Sequence, residues 1–247
     1  MFTRLLVGLD GSVRGDSAFE QAVLLGERFR STVIVSHVRE PGDSDGEIRD
    51  MLERARTRVA AAGLEVEIVS HDGAPDTGLA MLAKSADAAL VGRQGVAARG
   101  NALGTTVGSL IRIAESCVVV CAGAATPMRS CAVVFDGQDP SRRALELAGR
   151  FASIADSTVH IIHATDDPAA GVQVVGVAEA VLSLQRVAFV THVESGRPGR
   201  VLPDLVKRIR CDALFAGAHL AKGGAATLTS HAEEILQGTD IPFVIQP

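Results

Sequence analysis

The chain has 247 residues, of which 47% are hydrophobic, 21% charged and 3% aromatic, and its formal net charge is −5. The apolar content is ample for buried cores, and the charged content is that of an ordinary globular protein, so the composition argues against a disordered chain. Neither half carries an excess of Lys and Arg, which argues against a nucleic-acid partner.

The N-terminal segment MFTRLLVGLDGS contains a short apolar run that meets Asp10. The run is too short for a secretion signal or a membrane span, and no stretch of the sequence reaches about 18 uninterrupted apolar residues. We therefore expect a cytoplasmic protein with no membrane partner.

The four cysteines have no CxxC spacing of the kind that a zinc site uses. Cys117 and Cys121 share one face of a predicted strand at a separation of roughly 13 Å, which is too far for a disulfide. We expect buried free thiols.

In chain order, the first half alternates apolar strands with helices. Strands are predicted at 3–9, 32–38, 64–70, 88–92 and 117–121, and helices at 14–30, 47–62, 75–85 and 104–115. The apolar runs are typical of strands buried on both faces, and small and apolar residues recur at helical spacing in the first helix. This alternation predicts an α/β fold with a parallel sheet, right-handed crossovers and helices on both faces.

The sequence contains an internal repeat. Residues 30–38, RSTVIVSHV, match residues 156–164, DSTVHIIHA, at an offset of 126, and the same offset pairs Asp10-Gly11 with Asp136-Gly137. One offset that holds across separated blocks indicates a duplication. We therefore expect two domains, at 1–126 and 127–247.

The second half follows the same pattern. Its strands are predicted near 131–136, 158–163, 187–193, 212–216 and 242–246. The third strand aligns best by pairing His71 with His192, at an offset of 121. Gly171 and Gly176 interrupt the segment 169–185, for which we predict a frayed helix.

Two segments of the first half end a strand and then turn on glycine, and ligands of open parallel sheets bind beyond such strand ends. The first is VGLDGS, residues 7–12. Gly11 allows a tight turn, and Ser12 can cap the next helix. The Asp10 carboxylate can accept hydrogen bonds from ribose hydroxyls or hold a metal-bound water. The alternative is that Asp10 and Ser12 only cap the helix.

The second segment is VGRQG, residues 91–95, followed later by Gly104-Thr105. Gly92 and Gly95 let the backbone approach a ligand closely. Gly104-Thr105 opens a helix whose free N–H groups and positive dipole end attract phosphate. Arg93 and Arg99 add positive charge. The alternative is a surface loop with a glycine turn and a threonine cap.

With these motifs the chain resembles a tandem universal stress protein. That family opens with an apolar strand ending in Asp-Gly-Ser, and it closes with Gly-x-x-Gly, nine residues, then Gly-Ser or Gly-Thr. This chain has VGLDGS, SHV at 36–38, and Gly92-x-x-Gly95 with eight residues before Gly104-Thr105. The resemblance implies two tandem, Rossmann-like domains, each an open parallel five-stranded sheet of order 3-2-1-4-5, similar to the adenine nucleotide alpha hydrolases.

The resemblance also implies an adenine nucleotide, ATP or AMP, with Mg²⁺ accompanying ATP. Asp10, beside Gly11 and Ser12, would lie at the ribose and adenine end, and the backbone of Val38 would meet adenine. Gly92, Gly95, Gly104 and Thr105 would surround the phosphates, and Arg93 is the remaining candidate for cofactor binding because of its positive charge.

The second copy departs from this pattern. Gln138 replaces the Ser, and Leu220 and Thr229 stand where glycines are expected. Because a Cβ at such places blocks close backbone approach to phosphate, we expect the second domain to be structural, packed against the first as an intramolecular pseudo-dimer. Two chains could also pair again as a homodimer.

We therefore expect a cytoplasmic stress-response protein that binds an adenine nucleotide and is not an enzyme. The alternative is a nucleotide-free scaffold that acts through protein contacts. The loop motifs of P-loop enzymes and of serine hydrolases are absent from the sequence, which weighs against a third class, an enzyme built on the same fold.

Overall fold

A computed structural model describes residues 1–94, 104–113, 116–220, 226–228 and 230–247. The chain divides into two compact units, Met1–Ala125 and Thr126–Pro247. Each unit contains five parallel strands connected by helices.

The first unit alternates strands and helices along its whole length. Its strands are β1 (Arg4–Gly8), β2 (Thr32–Arg39), β3 (Val66–Asp72), β4 (Ala88–Gly92) and β5 (Cys117–Cys121). Its helices are α1 (Val13–Phe29), α2 (Asp45–Ala61), α3 (Pro75–Ala83) and α4 (Thr105–Ile113). The strand order is β3-β2-β1-β4-β5, as predicted.

The second unit repeats this plan. Its five parallel strands are β6 (Ser130–Val134), β7 (Thr158–Ala164), β8 (Phe189–Glu194), β9 (Ala213–Gly217) and β12 (Phe243–Gln246). Two short strands between β9 and β12, β10 (His219–Leu220) and β11 (Ala226–Thr227), form an antiparallel pair. Its helices are α5 (Asp139–Ala155), α6 (Pro168–Leu184), α7 (Pro198–Arg208) and α8 (Ser230–Gln237). The strand order is β8-β7-β6-β9-β12.

The strand order fixes which face each helix covers. In the first unit the chain moves outward from β1 to β2 and β3, and then returns to β4 and β5 on the other side of β1. Because crossovers between parallel strands are right-handed, the change of direction puts α1 and α2 on one face and α3 and α4 on the other. The carboxyl ends of β1 and β4, where the order reverses, are the ligand-binding position of such sheets.

Both units hold the start of their first strand with one aspartate. The Asp87 carboxylate accepts hydrogen bonds from the backbone N–H groups of residues 3 and 4, at 2.6 and 3.0 Å. The Asp212 carboxylate accepts from the N–H groups of residues 129 and 130, at 3.0 and 2.8 Å. These donors would otherwise lack a partner at the end of a buried strand.

A histidine at the end of the second strand has the same role in each unit. His37 Nδ1 donates to the Leu9 carbonyl at 2.7 Å, and His163 Nδ1 donates to the Phe135 carbonyl at 2.8 Å. The repeat-equivalent histidines therefore fix the chain just beyond the first strand of each unit.

The predicted fraying of the segment 169–185 is wrong. The structure has a continuous helix, α6, from Pro168 to Leu184. Its N-cap is Asp167, whose side chain accepts hydrogen bonds from the N–H groups of residues 169 and 170 at 3.0 and 3.1 Å. Burial of Val175 and Leu182 against the sheet then outweighs the weak helix propensity of the two glycines.

The alignment of His71 with His192 is also wrong. His71 pairs with Val38 in β2, and Glu194 is the residue that pairs with Ala164, the repeat equivalent of Val38. His192 lies two positions earlier. The histidine match misled the alignment because both strands are short and carry little other sequence signal.

The four cysteines, Cys117, Cys121, Cys131 and Cys211, are buried and free, as predicted. No helix among the described residues has both the length and the apolar content needed to cross a membrane.

Candidate functional site

A cleft of about 810 Å³ opens at the carboxyl ends of β1, β2 and β4 in the first unit. Its walls come from the turn after β1, the end of β2, and the N-terminal turns of α3 and α4. The volume falls within the range of small-molecule sites. The cleft lies where the strand order reverses, as the sequence led us to expect.

The turn after β1 connects the cleft to α1. Ser12 Oγ accepts a hydrogen bond from the Gly15 N–H at 2.9 Å and donates one to Asp10 Oδ1 at 2.6 Å. Gly11 has a φ of +73°, which L side chains rarely adopt. Ser12 therefore caps α1, and Asp10 holds Ser12 in place, lines the cleft and is exposed.

Val38 presents main-chain groups to the cleft. The Leu9 N–H donates to the Ser36 carbonyl at 2.8 Å, so the main-chain groups of Ser36 point toward β1. Main-chain directions alternate along a strand, so those of Val38 point to the same side. Because β1 ends at Gly8, opposite Ser36, the Val38 groups lie beyond the end of that strand.

Ser36 forms part of the cleft wall, and our sequence reasoning missed it. Its side chain is 0% exposed, and its Oγ has no hydrogen-bond partner among the described residues. An unpaired buried hydroxyl is unfavourable, so each instance needs an explanation. The repeat equivalent of Ser36 is Ile162, which is buried in β7. That replacement is the sequence signal that could have identified Ser36.

Gly92 lines the cleft at the end of β4, but close packing already requires a glycine there. A Cβ built on Gly92 would lie 2.8 Å from the backbone carbonyl carbon of Arg14 in α1. In the second unit, a Cβ on Gly217 would lie 2.0 Å from the Pro140 oxygen. Approach of the first helix to the fourth strand thus explains this glycine in both copies.

Arg93 follows Gly92 but does not line the cleft. It is 4% exposed; its N–H donates to the Cys121 carbonyl at 2.7 Å, and its carbonyl accepts from the Gly104 N–H at 3.0 Å. Its backbone therefore joins the end of β4 to the residue that precedes α4. Gly95 and Arg99 lie outside the described residues.

The N-terminus of α4 forms another wall of the cleft. Gly104 and Thr105 both line it, together with Thr106 and Val107. The N–H groups of the first helical turn have no partner within a helix, and the dipole makes this end positive. The arrangement provides hydrogen-bond donors for an anionic group.

The Asp, Glu, Lys and Arg side chains that line the described cleft are all acidic. The described lining residues include four carboxylates and no Lys or Arg; the carboxylates are Asp10, Glu40, Asp43 and Asp76. Asp43 Oδ2 accepts a hydrogen bond from the Glu40 N–H at 2.9 Å and lies 3.2 Å from His37 Nε2. These two contacts lower the pKa of the Asp43 carboxyl. Positive potential for an anion thus comes from the α4 backbone rather than from the described side chains. No group of three or more His, Cys, Asp and Glu residues in the described part of the chain is arranged to hold a metal ion.

The corresponding turn of the second unit keeps the backbone and loses the cap. Gly137 has a φ of +80°, and Asp136 Oδ1 accepts from the Gln138 N–H at 2.9 Å. The Gln138 side chain makes no capping hydrogen bond to α5. Thr229 lies outside the described residues, and the side chain of Leu220 is not described.

Two Rossmann-like units with the same strand order define an α/β protein with two tandem domains of one fold. The family model of the universal stress protein family matches residues 1–122 and again residues 128–247. The chain therefore belongs to the universal stress protein family, with two such domains in tandem.

Two solved structures that cover nearly the whole chain agree with this assignment of the fold. A universal stress protein from Archaeoglobus fulgidus has a TM-score of 0.78 at 18% identity, covering 99% of this chain and 98% of its own. A Pseudomonas aeruginosa protein assigned to the universal stress proteins has a TM-score of 0.70 at 16% identity, covering 99% and 92%. A universal stress protein solved in complex with cAMP is 28% identical over 48% of this chain and 95% of its own, with a TM-score of 0.42. A comparison with curated proteins finds no match.

Proposed function

We propose that the protein is a cytoplasmic stress-response protein whose first unit binds one adenine nucleotide, ATP or AMP, in the cleft, and that it acts as a binding module rather than as an enzyme. The observation that carries the proposal is the buried Ser36 hydroxyl, unpaired among the described residues, in the wall of that cleft. A bound ligand that accepts or donates a hydrogen bond at Ser36 would remove the unfavourable desolvation of this group.

The end of β2 suits the adenine. A planar base needs an apolar surface for its face and polar main-chain groups for its edge. Leu79 and the 6% exposed Val38 provide the apolar surface, and the main-chain N–H and C=O of Val38 provide a donor and an acceptor side by side. In this pose Asp10 lies at the ribose, whose hydroxyls donate to carboxylates.

The electrostatics of the cleft favour a nucleotide with little negative charge. The N-terminus of α4 attracts a phosphate group, while the four carboxylates along the described cleft repel the further charges of a triphosphate. We therefore propose that AMP binds without a metal ion and that ATP binds as its Mg²⁺ complex. The carboxylates of Asp10 and Asp76 are oxygen ligands of the kind that Mg²⁺ and its bound water prefer.

The second unit has a structural role in this proposal. Ile162 replaces Ser36 with a buried apolar side chain, and the helix cap at Gln138 is lost. A nucleotide-free scaffold is the alternative function for the chain as a whole, and a failure of nucleotide binding would favour it.

Isothermal titration calorimetry with AMP and with ATP, with and without Mg²⁺, tests the proposal. We expect binding of AMP by the wild type, and Ser36→Ala should weaken it by about three- to tenfold, because one hydrogen bond contributes about 0.5–1.5 kcal/mol. Ile162→Val, at the equivalent position of the second unit, is the matched control and should leave affinity unchanged.

Two results would contradict the proposal in different ways. No binding of AMP or Mg·ATP by the wild type at millimolar concentration would exclude nucleotide binding and favour the scaffold. Normal binding by both Ser36→Ala and Ser36→Ile would place the site elsewhere. Ser36→Ala should fold as the wild type does, because removal of an unpaired buried hydroxyl should not lower the stability of the first unit.

A further inference from the structure

The two units expose very different surfaces on equivalent helices. Helices α2 and α6 each have 17 residues and follow the second strand of their unit. Seven of the ten exposed residues of α2 are charged, namely Asp45, Glu47, Arg49, Asp50, Glu53, Arg54 and Arg56. None of the exposed residues of α6 carries a charge; they are Pro168, Ala169, Ala170, Val172, Gln173, Gly176, Val177, Ala180, Ser183 and Leu184. Only α2 has the polar outer face that is usual for a surface helix.

The outer face of α6 is also apolar. Val172 is 64% exposed, Val177 45% and Leu184 87%. A contiguous exposed apolar surface marks an interaction site. The one acidic side chain of the helix, Glu179, accepts a hydrogen bond from Thr191 at 2.6 Å and is not fully exposed. The helix face carries no Lys or Arg, unlike helices that lie on anionic membranes.

The middle of this face has an exposed glycine that no packing contact within the described chain requires. Gly176 is the central residue of α6, and a Cβ built on it would meet nothing within 4 Å. Glycine in a helix interior costs about 1 kcal/mol relative to alanine. A partner backbone packed closely against this position would account for the glycine.

The charges at the two ends of α6 select one kind of partner. The exposed Asp166 lies ten residues before Gly176, and the exposed Arg186 lies ten residues after it. An antiparallel pair of α6 helices crossing at Gly176 therefore brings the end that carries Asp166 in each copy to the end that carries Arg186 in the other. A parallel pair would bring Asp166 against Asp166.

We propose that the α6 face is the contact between two copies of this chain, with antiparallel α6 helices crossing at Gly176 on a twofold axis and Asp166–Arg186 ion pairs at both ends. An isologous contact of this kind is the commonest arrangement in oligomers. An uncharged face is compatible with its own copy because no like charges meet. The proposal does not depend on nucleotide binding.

The contact should be weak. A helix of 17 residues is about 25 Å long, and one helix face covers less than the roughly 800 Å² per partner of a standard interface. Because the terminal ion pairs are exposed, salt should weaken the dimer further.

Sedimentation velocity over a range of protein concentrations tests the contact with charge-reversal variants. We expect a concentration-dependent dimer for the wild type, and a loss of affinity of about tenfold or more for Asp166→Arg and for Arg186→Asp, because each variant brings like charges together at both ends. Mixing the two single variants should restore the dimer, since each then meets opposite charges, and the double variant should dimerise alone. Asp50→Arg on α2 is the matched control and should behave as the wild type.

Two outcomes would overturn the proposal. A wild type that stays monomeric at the highest concentration reached would exclude the contact. A dimer that both single variants leave unchanged would place the interface on another surface. Circular dichroism of each variant separates a lost contact from a lost fold, because residues 166 and 186 are exposed and should tolerate substitution.

Discussion

The two units of this chain share the hydrogen bonds that build the fold and differ where a ligand would bind. The Ser31 hydroxyl donates to the Phe2 carbonyl, and the Ser157 hydroxyl donates in the same way to the Met128 carbonyl. The Asp87 and Asp212 carboxylates each accept from the N–H group of the first residue of a strand. At the cleft, by contrast, buried Ser36 corresponds to buried Ile162. The same backbone can thus carry a polar cleft wall in one copy and an apolar core in the other.

The largest expected effect comes from transferring the polar wall residue to the second unit. Ile162→Ser should destabilise the protein by about 3–5 kcal/mol, because it leaves a cavity and an unpaired hydroxyl in a buried strand. Urea unfolding followed by circular dichroism measures the change. Ile162→Val, which removes one methyl group, should cost only about 1 kcal/mol. Equal effects of the two variants would show that the position is not tightly packed.

Removal of the shared aspartates should have similar effects in both units. Asp87→Ala and Asp212→Ala should each cost about 2–3 kcal/mol, because hydrogen bonds to charged groups are strong and their donors would be left unpaired. Asp72→Ala, which removes an exposed ion pair with Arg39, should cost less than about 1 kcal/mol. A large difference between the two aspartate variants in urea unfolding would show that Asp87 and Asp212 do not have the same role in the two units.

The Asp87 contribution should also depend on pH. Burial raises the pKa of this carboxyl, but the hydrogen bonds from Thr3 Oγ1 and from the N–H groups of Arg4 and Thr3 bring it below its ordinary value of 3.8. Its stabilisation is therefore present above the unfolded-state pKa and is lost as the pH falls through the lower folded-state value. The difference between wild type and Asp87→Ala should shrink in that range, and a constant difference down to the lowest pH would contradict this account.

A histidine pair should make the second unit sensitive to mild acid, and the first unit has Ile34 at the position that corresponds to His160. His160 Nδ1 and His192 Nε2 are 3.0 Å apart, with Glu194 and Arg208 nearby. Burial, and for His160 the neighbouring His192, lowers the pKa of both rings. The stability that the neutral pair provides is therefore complete above about pH 6.5 and falls as the pH drops below that value.

Urea unfolding on both sides of this pH window tests the pair. The free energy of unfolding of the wild type should fall on acidification. It should fall less in His160→Gln, because this variant lacks one of the two titrating rings. Ile34→Val, at the position in the first unit that corresponds to His160, is the control and should keep the wild-type pH dependence. An unchanged pH dependence in His160→Gln would exclude the pair as its source.

The smallest effect concerns the thiols, which are buried in both units. Burial raises the pKa of Cys117 and Cys121 to about 12 and that of Cys211 to about 11. Because the thiolate is the reactive form, a thiol reagent near pH 8 should label the native protein slowly and all four cysteines after unfolding. Cys211, the most exposed of these three at 7%, should react first among them, and rapid labelling of Cys117 would contradict the packing of β5.

Much of the fold could be predicted from the sequence because its signals are local or repeated. Apolar runs and, for β3, an alternating pattern predicted the main strands, and the 126-residue offset predicted the duplication. The helix α6 was harder, because its capping by Asp167 and its burial against the sheet are tertiary effects that Gly171 and Gly176 obscure. The register of β3 and β8 depends on strand pairing, which a histidine match could not supply.

The candidate site was predictable in position and less so in composition. Asp10, Val38, Gly104 and Thr105 were expected and do line one cleft. Ser36 and Asp76 also line the cleft but were not expected there, because a serine in an apolar strand and a carboxylate in a helix turn have no distinctive spacing. Arg93 was expected to add positive charge at the site, but it is 4% exposed and is not among the described residues that line the cleft.

In our proposal the two units share one architecture, and only the first unit binds a nucleotide. The stoichiometry of AMP binding to the full chain, measured by calorimetry, distinguishes one site from two. We expect one nucleotide per chain, and no binding by Ser36→Ile, whose larger side chain fills the wall position as Ile162 does. Two nucleotides per chain, or full binding by Ser36→Ile, would contradict this proposal.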